Sequence, residues 1–89
     1  SLHTLYLNCN NIGTEGAVQI AKSLPNNTSL HKLYLICNSI GAEGASKIAN
    51  LLESNYTLTE IHLEIYNFKL NQIIFRNKNI IENIRFVKT

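Results

Sequence analysis

The sequence predicts an α/β solenoid segment, with a parallel sheet on its concave face and helices on its convex face. Two observations carry that prediction. The stretch "SLHTLYLNCNNIGTEGA" at Ser1–Ala17 returns 28 residues later as "SLHKLYLICNSIGAEGA" at Ser29–Ala45. Only Thr4/Lys32, Asn8/Ile36, Asn11/Ser39 and Thr14/Ala42 differ between the copies. Within each copy, the hydrophobic period switches once from two to about 3.6. A strand-turn-helix unit of this size cannot bury its apolar face alone. Stacked copies bury one continuous core between a sheet and a helix layer.

Each element has a local reason. Leu5 and Leu7 alternate, as Leu33 and Leu35 do, and so share one face of a short strand. After Gly13 the spacing becomes helical, with Ala17, Ile20, Ala21 and Leu24 at i, i+3, i+4 and i+7. The second copy repeats this with Ala45, Ile48, Ala49 and Leu52. Gly13 and Gly41 are permissive N-caps, and Glu15 and Glu43 occupy a first turn where the helix dipole favours a carboxylate. Pro25 ends the first helix, and polar "NNT" and "SNY" return the chain to the next strand. Gly16 and Gly44 each cost a helix about 1 kcal/mol, so their recurrence predicts close packing of neighbouring backbones.

The third copy starts at Thr57 and departs early. Leu58, Ile61 and Leu63 keep the strand, Tyr66 replaces the conserved-register Asn, and Leu70, Ile73 and Ile74 resume helical spacing about three residues early. A further amphipathic stretch, Ile80, Ile81, Ile84 and Val87, follows Asn79. The expected organisation is repeat 1 at 1–28, repeat 2 at 29–56, a divergent repeat 3 at 57–78 and a capping helix at 79–89. Leu2, Leu5 and Leu7 are expected on an uncovered edge strand. A chain of 89 residues without Met, opening on a repeat boundary, reads as an excerpt of a longer protein.

The pattern L-x-x-L-x-L-x-x-N-x-I, with "N-x-I-G-x-E-G-A" and a 28-residue length, resembles leucine-rich repeats of the ribonuclease-inhibitor-like class. The same class occurs in NOD-like receptors and Ran GTPase-activating proteins. The resemblance covers two repeats and the strand of a third. It implies a right-handed horseshoe segment that recognises another protein through its concave sheet face. It leaves open a fragment of a GTPase-activating or NOD-like regulator.

Composition narrows the function. The net charge is +2, but residues 65–89 hold five basic side chains (Lys69, Arg76, Lys78, Arg85 and Lys88) against Glu82 alone. Nucleic-acid binding through this basic segment is therefore an alternative, although the charges are spread among Ile and Phe. No run approaches the length of a membrane span. Phosphate loops, Asp residues and paired carboxylates on a helix turn are missing, so neither catalysis, a small-molecule substrate nor a cofactor is expected. His3 and His31 recur in register, but six residues of strand separate each from Cys9 or Cys37, about 20 Å if extended. Neither C-x-x-C nor a Cys/His quartet is present, so no metal is expected. Cys9 and Cys37 are expected to stack about 4.8 Å apart as reduced, partly buried thiols, in a cytoplasmic or other reducing compartment. Sequons at Asn26, Asn27 and Asn55 fall in the polar loops between repeats.

Two sets of side chains remain. Asn10 and Asn38 are expected to form a structural ladder, each amide satisfying backbone groups of adjacent turns. On the exposed sheet face the alternation places Thr4, Tyr6 and Asn8, then Lys32, Tyr34 and Ile36, then Glu60, His62 and Glu64. Tyr6, Asn8, Lys32, Tyr34, Ile36, Glu60, His62 and Glu64 are the expected partner-binding residues, centred on the column Tyr6, Tyr34 and His62.

Overall fold

The computed structural model describes residues 3–88, and the side chains of residues 3–81. Leu2 lies outside the described residues, as do the side chains of Ile84, Arg85, Val87 and Lys88. The elements run β1 (Thr4–Tyr6), α1 (Gly13–Ser23), β2 (Lys32–Tyr34), α2 (Ala42–Leu51), a 3-10 turn (Leu52–Ser54), β3 (Glu60–His62) and α3 (Phe68–Lys88). The strands form one parallel sheet in the order β1-β2-β3. Thr4, Lys32 and Glu60 are in register, as are Leu5, Leu33 and Ile61, and Tyr6, Tyr34 and His62. Each crossover is one helix, which is how parallel strands are joined. The helices form the second layer, α2 packing against both α1 and α3.

The core lies between the layers. Leu33, Leu35, Ile48, Ala49, Leu52 and Leu58 are almost wholly buried, joined by Ala17, Ala21 and Leu24 from α1 and Leu70, Ile73 and Ile74 from α3. Leu5 and Leu7 on β1, and Ile61 and Leu63 on β3, are only partly buried. The middle strand has a neighbour on both sides and the outer two have one each, which accounts for the difference.

Local departures from the expected pattern have identifiable causes. Gly41 does precede α2 as its N-cap, with φ −87°, whereas Gly13 is the first residue of α1 and takes φ +72°. That left-handed conformation is open to glycine at no steric cost. The two helical glycines make room for side chains and not for backbone. A Cβ on Gly16 would come 2.6 Å from Ile12 Cγ2. One on Gly44 would come 2.9 Å from Thr14 Cγ2 and 3.0 Å from Ile40 Cγ2. Gly44 thus lets the first turn of α1 settle onto α2.

The expected break at Asn79 is not found: α3 is one helix of 21 residues that runs through that position. Its start is set by Asn67, whose Oδ1 accepts a hydrogen bond from Leu70 N at 2.9 Å. This is an N-cap supplied by a residue type that favours the role.

Candidate functional site

The exposed sheet face is built by the three-residue strands and the turns that follow them. At its centre three planar rings stack across the sheet. Tyr6 and Tyr34 have centroids 4.6 Å apart with planes 17° from parallel. Tyr34 and His62 lie 4.4 Å apart at 5°. In-register parallel strands make such a column, because side chains at matched positions leave neighbouring strands side by side, about 4.8 Å apart. Tyr6 is 69% exposed, while Tyr34 is half-buried between its two neighbours. The ring faces are therefore occupied by one another. That leaves ring edges and the outermost ring faces uncovered.

The first column carries the charge. Lys32 Nζ lies 3.3 Å from Glu60 Oε2, and His62 Nε2 lies 3.4 Å from Glu60 Oε1. The hydrogen bond from Lys32, followed by that from His62, holds the Glu60 carboxyl below the usual range. The hydrogen bond to Glu60 and its charge raise the Lys32 pKa in turn. Both groups are ionised at neutral pH and locked to each other across β2 and β3.

The third column is partly consumed by structure. Asn8 Oδ1 accepts a hydrogen bond from Ile36 N at 2.8 Å, and Glu64 Oε1 accepts one from Cys37 N at 3.0 Å. These side chains extend the strand ladder across the turns, so each has one oxygen already engaged. Ile36 remains exposed between them. All eight residues expected at the partner face lie along the strands or their exits, in columns that run across the sheet. Beside His62 a cleft of about 300 Å³ opens between β3 and α3, with Ile61, Leu63, Leu70 and Ile74 among its lining residues.

Asn10 and Asn38 behave differently from each other. Asn38 is fully buried. Its Oδ1 accepts from Asn10 N at 2.7 Å and Ile12 N at 3.1 Å. Its Nδ2 donates to Leu7 O at 2.6 Å and Leu35 O at 3.1 Å. Asn10 is exposed, and its Nδ2 donates to Asn8 O at 3.1 Å. The third-copy counterpart, Tyr66, is 72% exposed.

A second group of polar anchors escaped the sequence reading. Asn55 was legible only as a sequon, yet it is 2% exposed. Its Nδ2 donates to Leu24 O at 2.7 Å, and its Oδ1 accepts from Thr57 N and Leu58 N at 3.0 and 2.8 Å. Asn27, one repeat earlier, accepts in the same way from Ser29 N and Leu30 N. The 28-residue spacing of these two asparagines was the available signal. Asn77 then donates to Asn55 O and Leu58 O, tying α3 to the loop before β3. Arg76 donates to Glu53 O and Asn55 O, and its guanidinium lies 4.0 Å over the Tyr56 ring. Lys69 pairs with Glu53. Lys69 and Arg76, two of the three basic residues of the last segment whose side chains are described, are thus engaged within the chain.

The cysteines correct an expectation. Both are free, as expected, but both are exposed and not partly buried. They lie in the turns after β1 and β2 with φ +56° and +69°, followed two residues later by Asn11 and Ser39, also at positive φ. These tight left-handed turns carry the side chains off the core face that strand alternation implies. His3 and His31 stack at the other end of the strands, with Nδ1 atoms 3.3 Å apart. Among the described residues, no group of three His, Cys, Asp or Glu side chains is placed to hold a metal. No described helix is long and apolar enough to cross a membrane.

In-register strands, a helix layer and an exposed aromatic column define an α/β repeat domain. The family model described as Leucine Rich repeat matches residues 1–21 and 26–49, and the chain belongs to that family. Leucine-rich repeat domains generally mediate protein interactions. None of the curated proteins matches the sequence. Among solved structures, the fold is similar to one described as leiomodin-1 actin-binding site 2, with TM-score 0.84 and 24% identity over 98% of this chain. The match takes in 54% of that structure, so the chain spans about half the length of this relative. The tropomodulin C-terminal domain of Caenorhabditis elegans aligns over 97% of this chain and 90% of its own, with 10% identity and TM-score 0.45. That is too distant a likeness to bear on this fold.

Proposed function

We propose that this chain is a protein-recognition segment of a right-handed leucine-rich-repeat solenoid of the ribonuclease-inhibitor-like class, acting without catalysis of its own. Tyr6, Asn8, Lys32, Tyr34, Ile36, Glu60, His62 and Glu64 form its partner-binding face. The observation that carries this reading is the stacked column of Tyr6, Tyr34 and His62, held in register by the parallel sheet and exposed at Tyr6. Each aromatic contact contributes about 0.5–1.5 kcal/mol to holding the rings in place. Little side-chain entropy is then left to lose when a partner covers them.

The same stack weakens the nucleic-acid reading. Bases bind by stacking on free aromatic faces, and here the inner faces are covered by neighbouring rings. Lys69 and Arg76 are also engaged by the chain itself.

Actin is the partner to test first, because the similar leiomodin-1 structure is described as an actin-binding site. Direct binding of the full chain to monomeric and filamentous actin is measured, then to whichever protein a pull-down recovers. Truncating a central hot spot costs at least ~2 kcal/mol, so Tyr34→Ala should raise Kd about 30-fold. Lys47→Ala, on the helix layer and paired only with Glu43 in the same helix, should leave Kd unchanged. Loss of binding in Lys47→Ala with Tyr34→Ala unaffected would place the function on the helix side and refute the assignment.

A further inference from the structure

Cys9 and Cys37 play no part in the recognition surface proposed above, yet each directly follows one of its residues, Asn8 or Ile36. By this point β1 and β2 have ended, but their pairing persists. Leu7 N donates to Tyr34 O and Cys9 N to Ile36 O, both at 2.9 Å. Parallel neighbours at about 4.8 Å bring the two Cα atoms within the window of roughly 4.4–6.8 Å that a disulfide spans. Both residues take the left-handed conformation, at φ +56° and +69°, so their Cα–Cβ bonds leave the two turns alike. Both thiols are exposed. The neighbouring Cys37 side chain is the main cause that raises the Cys9 pKa, ahead of desolvation and the nearby Glu64 charge.

We propose that Cys9 and Cys37 are a redox-active dithiol, which a small disulfide oxidant converts into a reversible cross-link between the first and second repeats. The chemistry is two successive exchanges. One cysteine thiolate attacks the oxidant's S–S bond, forming a mixed disulfide and releasing one oxidant thiolate. The second cysteine thiolate attacks the protein-side sulfur, forming the Cys9–Cys37 bond and releasing the other. Two electrons pass to the oxidant, and the two cysteine protons end on the two released thiols.

Side chains leaving in parallel start with Cβ atoms somewhat further apart than the usual disulfide value of about 3.8 Å. The resulting bond is strained, and strained, exposed disulfides are the easily reduced ones. That property makes the cross-link a switch and not a permanent staple. Its position beside Asn8 and Ile36 couples it to the edge of the exposed sheet face.

The test exposes the full chain to oxidised glutathione, quenches with an alkylating agent and reads intact mass. The native chain should lose both thiols together, becoming lighter by two hydrogens with no glutathione retained, and dithiothreitol should restore both. Cys9→Ser and Cys37→Ser should each stop at one bound glutathione. In urea, where the sheet no longer holds the thiols side by side, ring closure should slow by at least ~10-fold, since the effective concentration of the partner thiol falls. Stable glutathione adducts on the native chain, a disulfide-linked dimer, or equal closure rates with and without urea would each overturn the proposal.

Discussion

Replacing Asn38 with Ala removes more hydrogen bonds than any other single side-chain change on the sheet side of the molecule. The amide is wholly buried and makes four bonds of 3.1 Å or shorter, to Asn10 N, Ile12 N, Leu7 O and Leu35 O. Two of these belong to the turn after β1, one to the residue following β1, and one to the residue following β2. A typical net value of about 1 kcal/mol per bond gives a loss of about 3–4 kcal/mol. The stranded backbone groups near the surface recover some hydration, which keeps the figure from rising further. A chain of this size has about 4–13 kcal/mol of total stability, so the loss takes about a quarter of it or more. With a urea slope near 1–1.5 kcal/mol/M for so small a domain, the midpoint should fall by about 2–4 M. Asn10→Ala is the control. Its exposed side chain makes one hydrogen bond, to Asn8 O in its own turn, so the cost should stay within about 0.5 kcal/mol. Equal midpoint shifts in the two variants, followed by circular dichroism, would refute the reasoning, because the two residues differ in burial and partners and not in type.

Two further outcomes follow from the helix side. Gly44→Ala gains about 1 kcal/mol of helix propensity but drives a methyl to 2.9–3.0 Å from Thr14 and Ile40. Overpacking of this kind costs about 1–3 kcal/mol, so the thermal midpoint should fall; in a Thr14→Ala background, which removes two of the three close atoms, the same change should become neutral or stabilising. Arg76→Lys should destabilise by about 1–2 kcal/mol despite keeping the charge, since a lysine cannot reach Glu53 O and Asn55 O together while lying flat on Tyr56; a thermal midpoint equal to that of the unaltered chain would show that the fork geometry is unimportant.

Local periodicity determined a large part of this protein. The alternation of Leu33 and Leu35, the i, i+3, i+4, i+7 spacing of Ala45 to Leu52 and the 28-residue repeat were sufficient for the elements of the first two repeats, the in-register sheet and the composition of its exposed face, but not for the single long α3. These features are legible because each depends on residues within one turn or two strand positions, and the repeat then multiplies the signal. Tyr6, Tyr34 and His62 fall in one column by arithmetic alone. What tertiary structure decided lies where the partner is far away in the chain. Asn38 and Asn10 share their place in the repeat and most of its neighbouring residues, and it is a preceding turn to bond that distinguishes the buried one from the exposed one. Asn55 reads as an ordinary loop residue until Leu24 O and Asn77 close around it. Each cysteine follows its strand by three residues, and positive φ, a property of the turn's backbone path, puts the thiols in solvent. Side-chain pattern records which face of a regular element is apolar; it holds no record of how a turn bends or of which distant carbonyl lacks a donor. Those depend on the assembled stack, where burying a polar group without a partner costs more than the bond itself contributes.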